Sequence, residues 1–259
     1  MTHELRESVI HSAIRSLDLP PASVGLDAGC GIGLHLGMLS RAIGDSGVVA
    51  GLDITAEFLD YARQAYAASD FSRRMTFQSG SISALPFRDA SFDWALSIDC
   101  VGYGLENPLP ALRELRRVLK PGGTLAVLFW SSQQLFPGYP LLEARLNATR
   151  DGMAPFRREM SPATHPLRLA GRFQDAGFGD ISVRTFAGTI HAPLSETLRI
   201  GLIALFRMRW QNSETELSSA DQALFHKLTN PESPDFILNI PDYYAFFTYS
   251  MFSGAAGSR

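Results

Sequence analysis

The stretch Val24-Gly-Leu-Asp-Ala-Gly-Cys-Gly-Ile-Gly33 decides the fold of this 259-residue chain. An apolar, strand-like run leads into glycines at 29, 31 and 33, and a helical pattern begins near Leu34. Alternate glycines let the backbone approach a ligand closely, and a helix that starts directly behind them presents free N–H groups. The stretch therefore predicts a strand, a ligand-binding turn and a helix.

The alternation of strand and helix patterns continues on both sides of this stretch. Apolar runs typical of strands lie at 23–28, 47–53, 74–79, 92–98 and 123–130, and helical patterns lie at 34–43, 55–68 and 109–119. Strands that alternate with helices favour βαβ units. We therefore expect an α/β fold with a doubly wound, mostly parallel sheet.

The regular alternation ends near residue 130. Beyond it the patterns predict helices at 139–150, 164–176, 194–210 and 218–229, a strand at 180–187 and a last strand at 243–251. We divide the chain into an N-terminal helix at 1–19 that forms part of a substrate cap, a ligand-binding domain at 20–187, a helical insertion at 188–240 that is a cap or an interface, and a closing strand and tail at 241–259.

Composition narrows the class of protein. The chain is 46% hydrophobic and 19% charged, with a net charge of −3, so it lacks the basic surface that nucleic-acid binding requires. Its apolar runs are too short for a membrane span, and its N-terminus lacks the layout of a signal peptide. Cys30 and Cys100 are too few for a disulfide framework and have no metal-ligand spacing. We expect a cytoplasmic protein with no nucleic-acid partner and no metal.

The spacing of the glycines identifies the kind of ligand. A dinucleotide fingerprint needs a third glycine at position 34, where leucine stands, which counts against a nicotinamide-dependent oxidoreductase. The pattern Asp27-x-Gly29-x-Gly31-x-Gly33 instead resembles motif I of the class I S-adenosylmethionine-dependent methyltransferases. The resemblance is to their small-molecule branch, similar to the methyltransferases of ubiquinone and menaquinone biosynthesis.

This resemblance implies a Rossmann-like sheet of seven strands with a helical cap, and S-adenosylmethionine as the cofactor. It also implies that the glycine loop, including Cys30, holds the methionine part of the cofactor, and that Asp27 helps to bind its amino group. A carboxylate is the group that an ammonium favours.

Further segments extend the cofactor site. Asp53 ends the second strand, where a carboxylate can accept hydrogen bonds from both ribose hydroxyls; Ile54 follows it. Asp53 could instead cap the helix at 55–68, although Thr55 is itself a good cap. The segment Gly80–Phe87 resembles the part of the family that contacts adenine, with Ser81 in place of an aspartate and Ile82 beside the ring. Asp99, after the fourth strand, completes the predicted set.

The acceptor side of the site carries no motif. We expect the substrate pocket to include residues that follow strands four and five and apolar residues of the helices, namely Tyr103, Trp130, Tyr139, Phe206 and Trp210. The catalytic residue is unknown from the sequence; the candidates for a general base are His11, Asp99, Tyr103, His165 and His191.

Two hypotheses of function remain at this point. The first is a methyltransferase that passes a methyl group to a small, hydrophobic or aromatic metabolite by in-line displacement. The alternative is a non-catalytic S-adenosylmethionine-binding sensor or partner subunit. The apolar helix at 194–210 fits a substrate lid as well as a buried scaffold or the contact of a homodimer.

Overall fold

A computed structural model describes residues 3–102, 105–153, 161–210 and 212–257. The chain forms two compact units. The sheet unit consists of His11–Trp130, Ser161–Thr185 and Ser250–Arg259, and the helical unit consists of Met1–Ile10, Ser131–Met160 and Phe186–Tyr249. Residues that are distant in the sequence thus meet within each unit.

The strands form one sheet of seven, in the order β3-β2-β1-β4-β5-β7-β6. Their bounds are β1 Val24–Ala28, β2 Val48–Asp53, β3 Met75–Ser79, β4 Phe92–Ile98, β5 Leu119–Gln134, β6 Phe178–His191 and β7 Tyr244–Ala256. The pairs β1–β2, β2–β3, β1–β4 and β4–β5 are parallel. The strand order reverses between β1 and β4, and such a switch point is where open α/β sheets bind ligands, outside the carboxyl ends of the strands. The predicted α/β class and seven-stranded, mostly parallel sheet are confirmed.

The helices are α1 His3–Arg15, α2 Leu36–Ala42, α3 Ala56–Tyr66, α4 Leu109–Val118, α5 Pro140–Asn147, α6 Arg150–Met153, α7 Leu169–Asp175, α8 Glu196–Trp210 and α9 Ser219–Thr229. In the sheet unit, α4 shows why such a segment becomes a core helix. Ala111, Leu115 and Val118 recur on one face, are fully buried and join the core formed by β1 and β5.

The helical unit has an aromatic interior. Phe206 and Trp210 of α8 lie one helical turn apart, and the rings of both lie close to Phe136, with centroid distances of 5.0 Å and 5.5 Å. Phe225 of α9 lies 6.4 Å from Trp210. Aromatic rings in such contacts contribute both apolar burial and favourable edge-to-face geometry.

Several element boundaries differ from the sequence predictions. β5 begins at Leu119 instead of residue 123 because Leu119 already pairs with Phe92 of β4. The predicted helix at 139–150 is divided into α5 and α6 because the Thr149 hydroxyl caps the second helix by accepting a hydrogen bond from Gly152 N. The predicted helix at 164–176 begins only at Leu169. Prolines 162 and 166 start separate short turns there, and His165 is extended, as a residue before proline prefers.

The grouping of the chain also differs from the domain boundaries drawn from the sequence. Residues 131–160 group with 186–249 in the helical unit, whereas the sequence placed 131–187 with the glycine loop. Strand β6 is longer than the predicted 180–187 and continues to His191.

Candidate cofactor site

The glycine loop that follows β1 has the backbone conformation that its sequence requires. Gly29, Gly31 and Gly33 have φ values of +87°, +52° and +78°, in the left-handed region that favours glycine. A Cβ atom on Gly29 would lie 2.5 Å from the Cys100 sulfur, whereas a Cβ on Gly31 would meet nothing within 4 Å. The loop is therefore packed on one side at Gly29 and open at Gly31, as a cradle for a ligand should be.

Tyr66, the last residue of α3, holds this loop in place. Its hydroxyl donates a hydrogen bond to the Gly33 carbonyl at 2.9 Å and accepts one from Gly37 N at 3.0 Å. Burial raises the pKa of this hydroxyl, so it stays protonated and able to donate. From the sequence, Tyr66 is predicted only to be part of the helix at 55–68. The distance of 33 residues between Tyr66 and Gly33 leaves no local pattern that could have revealed the contact.

Asp27, near the end of β1, carries the strongest sign of a ligand. Its residue is only 1% exposed, and burial, with the nearby Asp53 charge, raises the pKa of its carboxyl to about 7. Among the described residues, its Oδ2 atom is buried and has no hydrogen-bond partner. A buried polar atom without a partner costs free energy, so an arriving cation that pairs with it is favoured. The ammonium group of S-adenosylmethionine fits this requirement.

Asp53 joins the end of β2 to the glycine loop. Its Oδ2 accepts a hydrogen bond from Gly31 N at 2.8 Å, and its Oδ1 accepts one from Thr55 N at 3.0 Å. Each carboxylate oxygen can accept more than one hydrogen bond, so the half-buried carboxylate retains capacity for ribose hydroxyls. Asp53 therefore holds both the glycine loop and the turn that precedes α3. Its contact with ribose stays a prediction. Ile54, beside it, is 73% exposed.

The predicted adenine segment is anchored from α4. Leu85 N donates to the Glu114 carboxylate at 2.8 Å, and Arg117 donates to the carbonyls of Leu85 and Phe87. The Arg117–Glu114 pair lowers the pKa of Glu114 and keeps it charged. These contacts fix the segment in which Ser81 and Ile82 lie, both of them half-buried.

Ser81 uses its hydroxyl locally. Its Oγ accepts a hydrogen bond from Ser83 N at 3.2 Å, which closes a tight turn. The hydroxyl proton is still available for an acceptor on a ligand. The contacts of Ser81 and Ile82 with adenine stay predictions.

Asp99 lies at the carboxyl end of β4 in a left-handed conformation, with φ +50°. Its Oδ1 accepts a hydrogen bond from Trp130 N at 3.0 Å, which ties the end of β4 to β5. A non-glycine residue held in this conformation marks a strained, well-supported position. Asp99 and the buried Trp130 thus lie at the edge of the sheet where ligands of such folds bind, outside the carboxyl ends of the strands near the switch point.

Both thiols of this region are unsuited to nucleophilic chemistry. Burial raises the pKa of Cys100 to about 11 and also raises the pKa of Cys30, where the Asp27 charge adds to the effect. Each therefore stays protonated at neutral pH. Cys30 N donates to the Leu52 carbonyl, so this residue serves the loop through its backbone.

The candidate bases are spread over the molecule. His11 is exposed on α1. The His165 ring accepts a hydrogen bond from Leu167 N and so caps a short turn, and the exposed His191 ring shares a hydrogen bond with the Ala192 carbonyl. Tyr103 lies outside the described residues. None of these roles excludes proton transfer, so the general base stays unassigned.

The predicted acceptor residues of the helical unit have different environments. Phe206 and Trp210 are buried in the aromatic interior, and Tyr139 is half-buried just before α5. Their part in a substrate pocket stays a prediction.

Within the described ranges, no group of three or more His, Cys, Asp or Glu residues could hold a metal ion. No described helix combines the length and the apolar character needed to cross a membrane.

Comparison with known proteins agrees with this geometry. Residues 26–127 match the model of a methyltransferase domain family. A demethylmenaquinone methyltransferase of Staphylococcus epidermidis is 30% identical over 191 residues, which cover 68% of this chain and 76% of the relative. The corresponding protein of Staphylococcus aureus is 28% identical over 193 residues, covering 69% of this chain and 77% of the relative.

Solved structures share the fold. Phosphoethanolamine N-methyltransferase 2 of Haemonchus contortus, in complex with S-adenosylmethionine, superposes with a TM-score of 0.55 at 16% identity, over 96% of this chain and 52% of that one. The [4+2]-cyclase SpnF superposes with a TM-score of 0.53 at 18% identity, over 93% and 79% of the two chains. Taken with the glycine cradle and the unpartnered Asp27 oxygen, the sequence matches make S-adenosylmethionine the cofactor of this protein. The chain belongs to the class I S-adenosylmethionine-dependent methyltransferases, in the branch that includes the demethylmenaquinone methyltransferases.

Proposed function

We propose that this enzyme methylates a small, hydrophobic or aromatic metabolite by in-line displacement. The observation that carries the proposal is the match to demethylmenaquinone methyltransferase, whose name identifies an apolar quinone as its substrate. The net charge of −3 supports it further, because a nucleic-acid acceptor would favour a basic surface.

When bound, the cofactor supplies an electrophilic methyl group on its sulfonium. The residues of the chain bind and orient it. Asp27 would pair with the ammonium group, the Gly31 side of the loop would let the methionine part approach the backbone, and Asp53 would accept hydrogen bonds from ribose. Orientation of this kind can supply a large part of a rate enhancement, because it removes the entropic cost of bringing two reactants together.

The need for a base depends on the acceptor atom. A base is required only if the acceptor carries a proton that must leave. Asp99 is the candidate that lies at the sheet edge, and its Oδ1 accepts the Trp130 N–H.

The test uses S-adenosylmethionine with a trideuterated methyl group and a metabolite extract divided into lipophilic and aqueous fractions. We expect mass spectrometry to find the labelled methyl group in small lipophilic or aromatic products. An Asp53→Ala variant, impaired in cofactor binding, should give much less product from the same extract. Label found only in polar metabolites or in macromolecules would reject the proposed acceptor class.

A further inference from the structure

The helical unit contains a cavity of about 730 Å³ between α8 and α9. Its volume lies within the range of roughly 300–1,000 Å³ that is typical of small-molecule sites. The residues that line it all come from 203–233, so the cavity belongs to the helical unit alone.

The cavity is lined by apolar side chains of α8 and α9 and by polar ones. Phe206 and Phe225 line it and are buried, and Ile203 lines it and is half-buried. The ring of Phe206 is held in place because Phe136 packs against it. Phe206 and Phe225 are only 2% and 6% exposed, so they present little of their surface, and the half-buried Ile203 adds to the apolar part of the lining. Such a lining favours a ligand with an apolar aromatic or branched body.

The mouth of the cavity is basic. Arg207, His226 and Lys227 line it and are exposed, and no acidic residue lines it within the described part of the chain. Lys227 forms an ion pair with Asp235 at 2.9 Å, so its charge is already compensated. Arg207 makes no hydrogen bond or ion pair with any residue that the structure describes, so its guanidinium is available to a ligand.

The position of these cations in their helices gives a simpler explanation of the charge but not of the cavity. Arg207 lies in the last turn of α8, and His226 and Lys227 lie in the last turn of α9. Cations in last turns stabilise the helix dipole wherever they occur. That effect does not explain why a cavity lined by Phe206 and Phe225 lies beside Arg207.

We infer that this cavity binds a small amphipathic anion, an aromatic or branched carboxylate whose apolar body lies against Ile203 and the accessible parts of Phe206 and Phe225 and whose carboxylate pairs with Arg207. Guanidinium groups suit carboxylates because their parallel N–H groups match the two oxygens. This site does not depend on the identity of the methyl acceptor. It gives the helical unit a ligand of its own.

The experiment measures calorimetric binding of 2-naphthoate to the full chain saturated with S-adenosylhomocysteine, with the neutral 2-naphthamide as the uncharged comparison. We expect the carboxylate to bind more tightly than the amide. Arg207→Gln should weaken binding of 2-naphthoate by about tenfold, the usual size of one charge-assisted hydrogen bond, and leave binding of 2-naphthamide unchanged.

Two further variants complete the test. Arg113→Gln removes an exposed arginine of α4 that is not among the lining residues, and it should bind 2-naphthoate as the wild type does. Ile203→Trp fills the cavity and should abolish binding of both compounds, while an unchanged thermal transition and unchanged S-adenosylhomocysteine affinity show that the protein is intact. The inference is overturned if 2-naphthoate does not bind, if Arg207→Gln binds it as tightly as the wild type, or if Ile203→Trp leaves binding intact.

Discussion

Among the described residues, each unit contains one carboxylate that is almost completely buried, and the hydrogen-bond partners of these two carboxylates differ. Asp27 of the sheet unit and Glu143 of the helical unit are both 1% exposed, and burial raises the pKa of each. Glu143 accepts backbone hydrogen bonds from Leu135 N at 2.7 Å and Phe136 N at 3.1 Å. Oδ2 of Asp27 has no partner among the described residues.

The difference separates a structural carboxylate from a functional one. The chain itself satisfies Glu143, which joins the end of β5 to α5 as a part of the scaffold. Oδ2 of Asp27 has no such partner among the described residues, and a buried polar atom of this kind favours a ligand that pairs with it. The comparison therefore assigns cofactor binding to Asp27 and scaffold stability to Glu143 and the aromatic interior near it, and the following variants test that division.

The largest effect is expected in the aromatic interior. Phe206→Ala removes a buried ring that contacts Phe136 and Trp210, and we expect a loss of about 3–5 kcal/mol in the free energy of unfolding. Met208→Ala, on the same helix but 64% exposed, is the matched control and should change stability by no more than about 0.5 kcal/mol. Denaturant unfolding measures both.

The same variant decides between scaffold and substrate lid for α8. The scaffold interpretation expects a large fall in melting temperature with unaltered acceptor kinetics in the folded protein. A raised KM for the acceptor with an unchanged melting temperature would contradict the scaffold interpretation and would place Phe206 in the acceptor pocket.

A smaller effect is expected at the cofactor site. Asp53→Ala should weaken S-adenosylhomocysteine binding by about 1.5–3 kcal/mol, the usual value for a hydrogen bond to a charged group. Asp60→Ala, at an exposed position of α3, removes a carboxylate that pairs with neighbouring Arg63 and should leave affinity unchanged. Unchanged calorimetric affinity in a folded Asp53→Ala protein would remove Asp53 from the binding site.

How far the sequence predicts this molecule depends on whether a feature is local. The strand, glycine turn and helix around Asp27 follow from residues that are adjacent in the chain, and the positions of Asp53 and Asp99 follow from counting strands. The hydrogen bond between Tyr66 and Gly33 joins residues that are 33 positions apart in the chain, and the hydrogen bond between Trp130 and Asp99 joins residues that are 31 positions apart. Patterns of hydrophobicity carry no information about such pairs.

The helical unit shows the same limit more strongly. Its interior unites Phe136, Phe206 and Phe225 from two segments of the chain, which are separated by residues 161–185 of the sheet unit. The sequence located the helices that carry two of these residues but could not show which faces meet. The division of the chain drawn from the sequence follows the order of the residues, whereas 131–160 groups in space with 186–249.

The two buried carboxylates should respond to neutral substitution with opposite signs. Glu143→Gln leaves one acceptor oxygen for two backbone N–H groups, and the group left without an acceptor should cost about 1–3 kcal/mol of stability. Asp27→Asn at pH 8 removes a buried charge and should stabilise the free protein while weakening cofactor binding. Thermal unfolding of both variants, with and without S-adenosylhomocysteine, measures this; destabilisation of the free protein by Asp27→Asn would break the comparison.

The raised pKa of Asp27 also predicts a pH dependence. Its carboxyl has a pKa of about 7 in the folded protein and 3.8 unfolded, so between these values the folded chain holds a proton that the unfolded chain lacks, and stability falls as pH rises. Pairing with an ammonium needs the carboxylate. Cofactor affinity should therefore fall below pH 7, by at most about tenfold per pH unit. In Asp27→Asn it should stay low and flat between pH 5.5 and pH 7.5, roughly the span around that pKa; a wild-type affinity that is equally flat would exclude ammonium pairing at Asp27.

The smallest expected effect is that of removing metal ions, which should be none. The described ranges hold no group of three or more metal-binding side chains, and the raised pKa values of Cys30 and Cys100 keep both thiols in the protonated form that binds metals poorly. The unsatisfied atom of Asp27 instead suits an ammonium, which supplies its own charge. Exhaustive chelation with EDTA should thus leave both S-adenosylhomocysteine affinity and methyl transfer unchanged, with the Asp53→Ala protein as the reference for a damaged site. If EDTA abolished either activity and a single divalent ion restored it, the unpartnered oxygen of Asp27 would have to be reassigned as a ligand of that ion.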